Sequence, residues 1–292
     1  MFIDNPTIPT RLEVLLDVLH LMHGRKADKE TVDTLLQPEG LPGLRERSNQ
    51  ANQHISAAEQ LELIAKDSGG NLRLNYKVRG KHDARGRIIA AFEAMVLTKT
   101  NVERWAARMY AFLLQLPPSR DFLVKSANFE NLTKHFMDEL PAEIERLNPM
   151  NDTKLPKYLD WYAYVGLGWF GPHAEFVVDP TIRLERALPA IFGKDHLLDA
   201  SEFMTRLAEQ CPELDGGHLF REIGTAWYAQ GDRRCTRGLA SALRNLHDEA
   251  VIGLRCPRDN KGWDLSLAGH VNEPGVLDSD RFDQIELRKL GS

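Results

Sequence analysis

Amide, imidazole and guanidinium side chains cluster near residue 50. The cluster consists of Arg45, Arg47, Asn49, Gln50, Gln53 and His54. Amide side chains can hydrogen-bond the edge of adenine in the major groove of DNA, and guanidinium groups contact phosphates. These residue types at this spacing predict a helix that contacts bases, preceded by cations that contact the DNA backbone.

A second set of cations follows in residues 73–87. It consists of Arg73, Lys77, Arg79, Lys81, Arg85 and Arg87, and Asp83 is the only acid between residues 77 and 87. Cations on a strand beside a base-reading helix are suited to phosphate contacts. The same charges would also suit a solvated strand face, so both interpretations stay open at this point.

The apolar pattern predicts the elements that position these two sets. A helical stripe over residues 10–23 is followed by a second helix with Asp28 as its N-cap, and by a third helix from about Ser48 to Leu63. After a turn at residues 67–70, apolar and polar residues alternate, which is typical of a hairpin. Three helices followed by a hairpin is the order of a winged helix-turn-helix, whose third helix enters the major groove. Winged helices also bind proteins, so DNA contact and protein contact are both open.

The middle of the chain predicts helices and an aromatic hairpin. Helical spacing over residues 102–116 places Trp105 and Phe112 on a regular apolar stripe, which predicts that both are core residues. Trp169 and Phe170 lie in a second predicted hairpin that is aromatic rather than basic. This chemistry predicts packing against another domain or a partner protein rather than phosphate contact.

The C-terminal part repeats the pattern of a helix and a hairpin. Residues 236–248 predict a helix, and residues 251–267 predict a hairpin around turn residues 259–262. The cations predicted to contact DNA here are Arg237, Arg244, Arg255 and Lys261. The tail, residues 271–292, is polar enough for a flexible end, although residues 285–287 could add a strand or a short helix.

Together these patterns predict a mainly α fold with small β-hairpin wings. It would comprise two or three tandem winged helix-turn-helix units joined by a helical connector. The predicted domains are an N-terminal winged helix-turn-helix at 1–83, a helical connector with a possible second winged helix at 84–179, a C-terminal winged-helix-like domain at 180–270, and a polar tail at 271–292.

Composition excludes several classes of protein. The chain has 292 residues, a formal net charge of −5 and 42% hydrophobic residues, which excludes a largely disordered chain. No apolar run is long enough to span a bilayer, and the start lacks the pattern of a signal peptide. The three widely spaced cysteines, Cys211, Cys235 and Cys256, disfavour a disulfide framework and predict a cytoplasmic location. Net acidity argues against a general polyanion binder but permits a local basic face.

The sequence carries no motif of a common catalytic or cofactor site. It has no P-loop, no dinucleotide-binding fingerprint, no nucleophile elbow and no HExxH zinc motif. Five acids would form a nuclease-like cluster only if folding gathers them, namely Asp195, Asp199, Glu202, Asp215 and Glu222. We therefore expect no catalytic residue, no metal, no cofactor and no small-molecule substrate.

Three stretches of the chain resemble DpdG-type proteins, which occur in bacterial gene clusters that install 7-deazapurines in DNA and defend against foreign DNA. The stretches are the helix and hairpin pattern up to Val78; Tyr164–Trp169 with Val178–Thr181 and Leu188–Phe192; and Glu202–Phe203 with Leu214–Gly217 and Leu239–Leu246. The resemblance implies an accessory role in a multi-protein system that targets DNA, and it carries over no catalytic residue.

The expected function is a non-catalytic subunit of a bacterial antiphage defence or DNA-modification complex. It would contact double-stranded DNA through winged helices and dock one or more larger enzyme subunits. One alternative is a pure scaffold, with the hairpin at Trp169 and Phe170 as its interface and no DNA affinity. A second is a stand-alone transcriptional regulator, which would bind a symmetric site as a dimer. A third alternative, an enzyme acting alone, has no motif in its favour.

Overall fold

The computed structural model describes ten stretches of the chain. They are residues 7–22, 27–37, 50–78, 82–98, 105–117, 123–144, 148–223, 233–255, 262–265 and 280–288. These stretches are mostly helical and carry small antiparallel sheets, which confirms the mainly α prediction. No helix within them is long and apolar enough to cross a membrane.

The chain divides into two compact units. Unit 1 comprises Met1–Arg104 and Pro156–Tyr164, and unit 2 comprises Trp105–Leu155 and Val165–Ser292. The domain boundaries inferred from the sequence remain a prediction.

Unit 1 opens with three helices, a hairpin and a fourth helix. The elements are α1 (Pro9–Leu21), α2 (Lys29–Leu36), α3 (Gln50–Gln60), β1 (Ile64–Lys66), β2 (Leu72–Leu74) and α4 (Ala84–Phe92), which continues as a π-helical turn (Glu93–Thr98). Four leucines of α1 are buried and form the centre of the core, where α1 packs against α2, α3, α4 and β2: Leu12, Leu15, Leu16 and Leu19. Asp28 is the N-cap of α2, since its Oδ1 accepts a hydrogen bond from the Thr31 amide at 2.8 Å.

The hairpin of unit 1 pairs β1 with β2 antiparallel, with Ala65 opposite Arg73. Its turn is held by Asp67, whose Oδ1 accepts hydrogen bonds from the amides of Gly69 and Asn71. On the outer edge of β2 the Leu72 amide donates to the Ala27 carbonyl at 2.8 Å. These bonds fix the hairpin beside the residues that connect α1 to α2.

The segment Pro156–Tyr164 completes unit 1 with residues of helix α7 (Leu155–Val165). The Trp161 ring stacks on Phe92 with centroids 5.1 Å apart, and its Nε1 donates to the Thr7 carbonyl at 2.9 Å. A buried indole is therefore both packed and hydrogen-bonded.

Unit 2 is built around α5 (Ala106–Leu114), of which all residues except Arg108 are buried. Trp105 and Phe112 both pack edge-on against Phe136 of α6 (Phe129–Glu139), so the prediction that they are core residues is confirmed. A short 3-10 turn (Ser126–Asn128) precedes α6.

The predicted aromatic hairpin is present in unit 2. It pairs β3 (Gly168–Phe170) with β4 (Phe176–Val178), and Val124 bridges to Phe176 on the other side of β4. Gly168 is required by close approach, because a Cβ there would lie 2.3 Å from the Val177 carbonyl oxygen and 2.4 Å from the Phe176 ring.

The rest of unit 2 packs helices against a three-stranded sheet. The elements are α8 (Thr181–Phe192), β5 (Leu197–Asp199), α9 (Ala200–Gln210), α10 (His218–Glu222), α11 (Arg237–Asp248), β6 (Ile252–Arg255), β7 (Trp263–Asp264), β8 (Arg281–Phe282) and β9 (Gln284–Leu287). The sheet has the order β5-β9-β6, antiparallel throughout, and β7 pairs separately with β8.

The predicted hairpin over residues 251–267 is wrong in its pairing. Strand β6 pairs with β9 instead, so the polar tail supplies the central strand of the sheet. Ile285 explains the choice, because it is fully buried directly between Leu198 of β5 and Leu254 of β6. Cross-strand apolar pairs stabilise this pairing more than a local turn signal can.

Candidate nucleic-acid interface

The outward face of α3 carries uncharged polar side chains. Ala51, Ile55 and Ala58 are buried, and this spacing turns the opposite face of the helix outward. That face carries the exposed residues Ser56 and Gln60 and, at its margins, Asn52 and Gln53, which are part-buried and whose side-chain oxygens are buried. Amides and hydroxyls in one row can hydrogen-bond base edges.

His54 lies on the inner face of the same helix. Its exposure is 2%, and its Nε2 accepts a hydrogen bond from the Ile8 amide at 3.2 Å. The prediction that His54 contacts a base is therefore corrected, since positions 51, 54, 55 and 58 share one helical stripe. Arg45, Arg47 and Asn49 lie outside the described stretches, as does the Gln50 side chain.

Sequence reasoning missed Asn52, Ser56 and Gln60 as members of the outward face. The helical spacing of the buried residues Ala51, Ile55 and Ala58 identifies them. This spacing determines which positions of the helix face outward, whatever side chains they carry. Glu59 of the same helix forms an ion pair with Lys66 of β1 at 2.7 Å, which offsets its charge.

The hairpin beside α3 presents exposed cations. Arg73 lies on β2 and Lys77 lies just after it, and both are exposed. Arg79 and Lys81 lie outside the described residues. Within the described stretches, the cations predicted for this hairpin, Arg73 and Lys77, are therefore exposed to solvent.

Arg85 and Arg87 lie on opposite flanks of α4. Each guanidinium is placed over a tyrosine ring, Arg85 over Tyr164 at 5.3 Å and Arg87 over Tyr76 at 4.9 Å. Cation–π contacts of this kind fix the guanidinium plane while leaving its N–H groups free to donate. The two arginines do not form one patch, because helix positions two apart point in different directions.

Tyr76 connects the Arg87 side of α4 to the hairpin. Burial is the main cause that raises the pKa of the Tyr76 phenol, and the Arg87 charge opposes this shift. The phenol therefore stays protonated at neutral pH.

The C-terminal cations do not gather on an open helix face. Arg244 is 8% exposed and pairs with Asp280 at 2.6 Å, so its predicted DNA contact is corrected to a protein contact. Arg255 is half exposed and pairs with Glu286 at 3.2 Å. Arg237 is exposed at the start of α11, and Lys261 lies outside the described stretches.

Helix α11 itself is largely covered. Seven of its twelve residues are buried, and a Cβ at Gly238 would lie 2.6 Å from the Leu114 side chain. The N-cap, Thr236, is in turn fixed by Asp215, which accepts hydrogen bonds from its amide and its hydroxyl. A helix packed on most sides cannot lie in a major groove as a recognition helix does.

The aromatic hairpin presents its two predicted interface residues to solvent. Trp169 is 49% exposed and Phe170 is 44% exposed. They are neighbours on β3 and therefore point to opposite faces of the hairpin. The Phe170 ring also packs edge-on against Phe176 at 5.4 Å, which stiffens its position.

The five acids considered as a nuclease-like cluster are dispersed in separate contacts. Asp195 and Glu202 both bind Arg206, Glu222 binds Arg108, Asp215 binds Thr236, and Asp199 accepts from Gln284. Among the residues whose placement is described, no group of three His, Cys, Asp or Glu side chains is arranged to hold a metal ion.

Cys211 and Cys235 are buried free thiols. Burial raises the pKa of the Cys235 thiol well above its usual value, and the nearby charges of Asp215 and Asp264 raise it further. A thiol in this state is a poor nucleophile. Cys256 lies outside the described part of the chain.

Comparison with known protein families gives one match. Residues 3–260 match the model of the family described as DpdG-like. No curated protein and no solved structure matches the chain.

Proposed function

The chain belongs to the DpdG-like family, and from this membership we propose that it is a non-catalytic subunit that contacts double-stranded DNA through unit 1. The family associates the chain with 7-deazapurine modification of DNA. In this role the protein would hold a larger enzyme subunit of a bacterial defence or DNA-modification complex on its target.

The polar row of α3 is the observation that carries this proposal. Ser56 and Gln60 of this row are exposed, with Asn52 and Gln53 part-buried at its margins, beside a hairpin whose Arg73 and Lys77 are exposed. We interpret the order of α1, α2, α3 and the hairpin as a winged helix, with α3 as the helix that enters the major groove. In this proposal the Gln60 amide and the Ser56 hydroxyl read base edges while the hairpin cations contact phosphates.

A second role, protein docking, is favoured for unit 2. The order α8, β5, α9, α11, β6 and β9 with the sheet order β5-β9-β6 also fits a winged helix. Its α11 is covered, however, while the hairpin of Trp169 and Phe170 is exposed. Half-exposed aromatic side chains are enriched at protein interfaces. We propose that the partner enzyme binds this hairpin, and a pure scaffold remains the rival if unit 1 binds no DNA.

Binding of the full chain to a fluorescent duplex across a salt series tests the DNA-binding role. The variant Arg73→Glu/Lys77→Glu should weaken binding and reduce the slope of log affinity against log salt, by about 0.9 for each phosphate that the variant no longer neutralises. The control Lys134→Glu/Lys194→Glu makes the same charge change at exposed positions of unit 2. It should bind with a slope close to that of the unaltered protein.

Two outcomes would count against DNA binding by unit 1. If the unaltered protein does not bind duplex even at low salt, the scaffold role is favoured. If both double variants weaken binding equally, affinity follows total charge rather than the hairpin, and the polar row of α3 loses its assigned role.

A further inference from the structure

Three aromatic side chains of unit 1 are arranged in parallel planes near the hairpin. His20 of α1 stacks on His82 with ring centroids 4.3 Å apart and planes 7° apart. Tyr76 lies parallel to His82 within 6°, and its hydroxyl is 3.2 Å from His82 Nε2. Asp17 binds the other ring nitrogen of His82 at 2.9 Å. His82 is therefore fixed on both nitrogens, and it in turn supports the His20 ring.

His20 lines a groove that runs between the C-terminal half of α1 and β2 with the residues that follow it. The groove has a volume of about 1030 Å³, which is the upper end of the range for small-molecule sites. His20, Tyr76, Asn75 and Lys77 line it, whereas His82 does not. Of the two stacked rings, His20 is therefore the one that lines the groove.

The His20 imidazole is polar as well as flat. Within the described part of the chain, this ring stacks on His82 and takes part in no hydrogen bond. An aromatic ring that is supported on one face by a fixed neighbour is a suitable platform for a further flat group on its other face. Nucleobases are such groups, and stacking of this kind tolerates any base sequence.

The remaining polar groups of the groove suit a nucleotide. Lys77 is exposed and offers a cation for a phosphate, and Arg73 lines the same groove. Asn75 donates its Nδ2 to the Glu62 carbonyl at 3.0 Å, which turns its Oδ1 to other donors such as a base amino group. Asp67 also lines the groove, but its carboxylate already accepts hydrogen bonds from the amides of the turn.

We propose that this groove binds an unpaired nucleotide, with the base stacked on His20 and the phosphate at Lys77. The nucleotide could be part of a DNA strand, in which case the inference rests on the proposed DNA-binding function, or it could be a free nucleotide. A nucleotide site here would let unit 1 distinguish DNA with an unstacked base from an intact duplex.

The test compares a matched duplex with the same duplex carrying a central unpaired bubble, using the full chain. The unaltered protein should bind the bubble about tenfold more tightly, as expected for one stacked base. His20→Leu should abolish this difference while leaving affinity for the matched duplex unchanged. His20→Phe should retain it, because the aromatic face is kept.

Leu21→Gln is the matched control, since Leu21 neighbours His20 on α1, is 77% exposed and does not line the groove. It should behave as the unaltered protein, and thermal melts should show that each variant is folded. Calorimetric titration with deoxyadenosine monophosphate, on the unaltered chain and on His20→Leu, distinguishes the two sources of the nucleotide. Binding of this probe that His20→Leu removes, without a bubble preference, would support a site for free nucleotides.

Equal affinity for bubble and matched duplex, with no binding of the monophosphate, would overturn the nucleotide site while leaving duplex binding by α3 intact. A bubble preference that His20→Leu retains would also overturn it. Failure to bind either DNA or the monophosphate would overturn the site and the proposed DNA-binding function together.

Discussion

The Arg183–Glu213 pair is the most deeply buried ion pair in the described part of unit 2. Arg183 Nε donates to Glu213 Oε1 at 3.1 Å, and Glu213 is fully buried, with no hydrogen-bond partner for its Oε2 among the described residues. Arg183 also donates to the Gln210 carbonyl, which ties α8 to the end of α9. Removing one partner of such a pair leaves a buried charge without compensation.

We therefore predict that Arg183→Ala lowers the free energy of unfolding by about 3–5 kcal/mol. The double variant Arg183→Met/Glu213→Leu should recover most of this loss, because no buried charge remains. Arg255→Ala is the matched control at a more exposed pair, with Glu286, and it should barely shift the denaturation midpoint. Urea denaturation measures all three, and a single variant as stable as the control would show that the buried pair is unimportant.

The residues of α3 show how far side-chain chemistry alone predicts a site. Polar residues near position 50 correctly indicate a polar helix, but their chemistry does not say which of them face outward. Polarity alone favours His54 as a base contact, although Ala51, Ile55 and Ala58 place it on the buried stripe. The amide of Ile8, 46 residues away, supplies its hydrogen bond. A hydrogen-bond partner this distant in the sequence cannot be predicted from the local pattern of residues.

Strand β9 carries the apolar centre of the three-stranded sheet. Ile285 is fully buried, whereas Glu286 on the opposite face contacts Arg255 and Arg288. Ile285→Ala should lower the free energy of unfolding by about 2–5 kcal/mol, since it removes buried methyl groups and leaves a cavity.

Glu286→Ala on the same strand is the control, and its effect on the denaturation midpoint should be small because its ion pairs are partly exposed. If the two variants were equally stable in urea, or if a chain ending at Asp280 unfolded at the same midpoint as the full chain, β9 would not be part of the core.

The pairing of β9 also marks what local patterns predict well and what they do not. The turn and the alternation that predict the hairpin of unit 1 are adjacent in the chain, and this hairpin forms at Ile64–Lys66 and Leu72–Leu74. The residue types after strand β6 predict a turn just as clearly, yet β6 pairs with a strand beyond residue 280. Both candidate partner strands alternate apolar and polar residues. Only the packing of Ile285 between two apolar neighbours therefore decides which strand pairs with β6.

At the scale of the whole molecule, the acidic net charge limits where DNA can bind. A chain with a formal charge of −5 repels a polyanion at most of its surface. Cations must therefore be concentrated, and among the described residues the hairpin of unit 1 offers the exposed side chains of Arg73 and Lys77. In unit 2 Arg244 and Arg255 are paired with acids, while Arg237 is exposed at the start of α11. The two units are thus suited to different partners.

This division of roles predicts variants that separate DNA binding from partner binding. Trp169→Ala/Phe170→Ala removes the exposed aromatic side chains of the unit 2 hairpin, so a tagged chain should no longer co-purify with a larger protein encoded in its own gene cluster. Its duplex affinity and salt slope should stay within about twofold of the unaltered protein, because the proposed phosphate contacts lie in unit 1. Leu197→Ala, at another exposed apolar residue of unit 2, should affect neither. A parallel loss of DNA affinity in the double variant would place the aromatic hairpin at the DNA, and retention of the partner would place docking elsewhere on the chain.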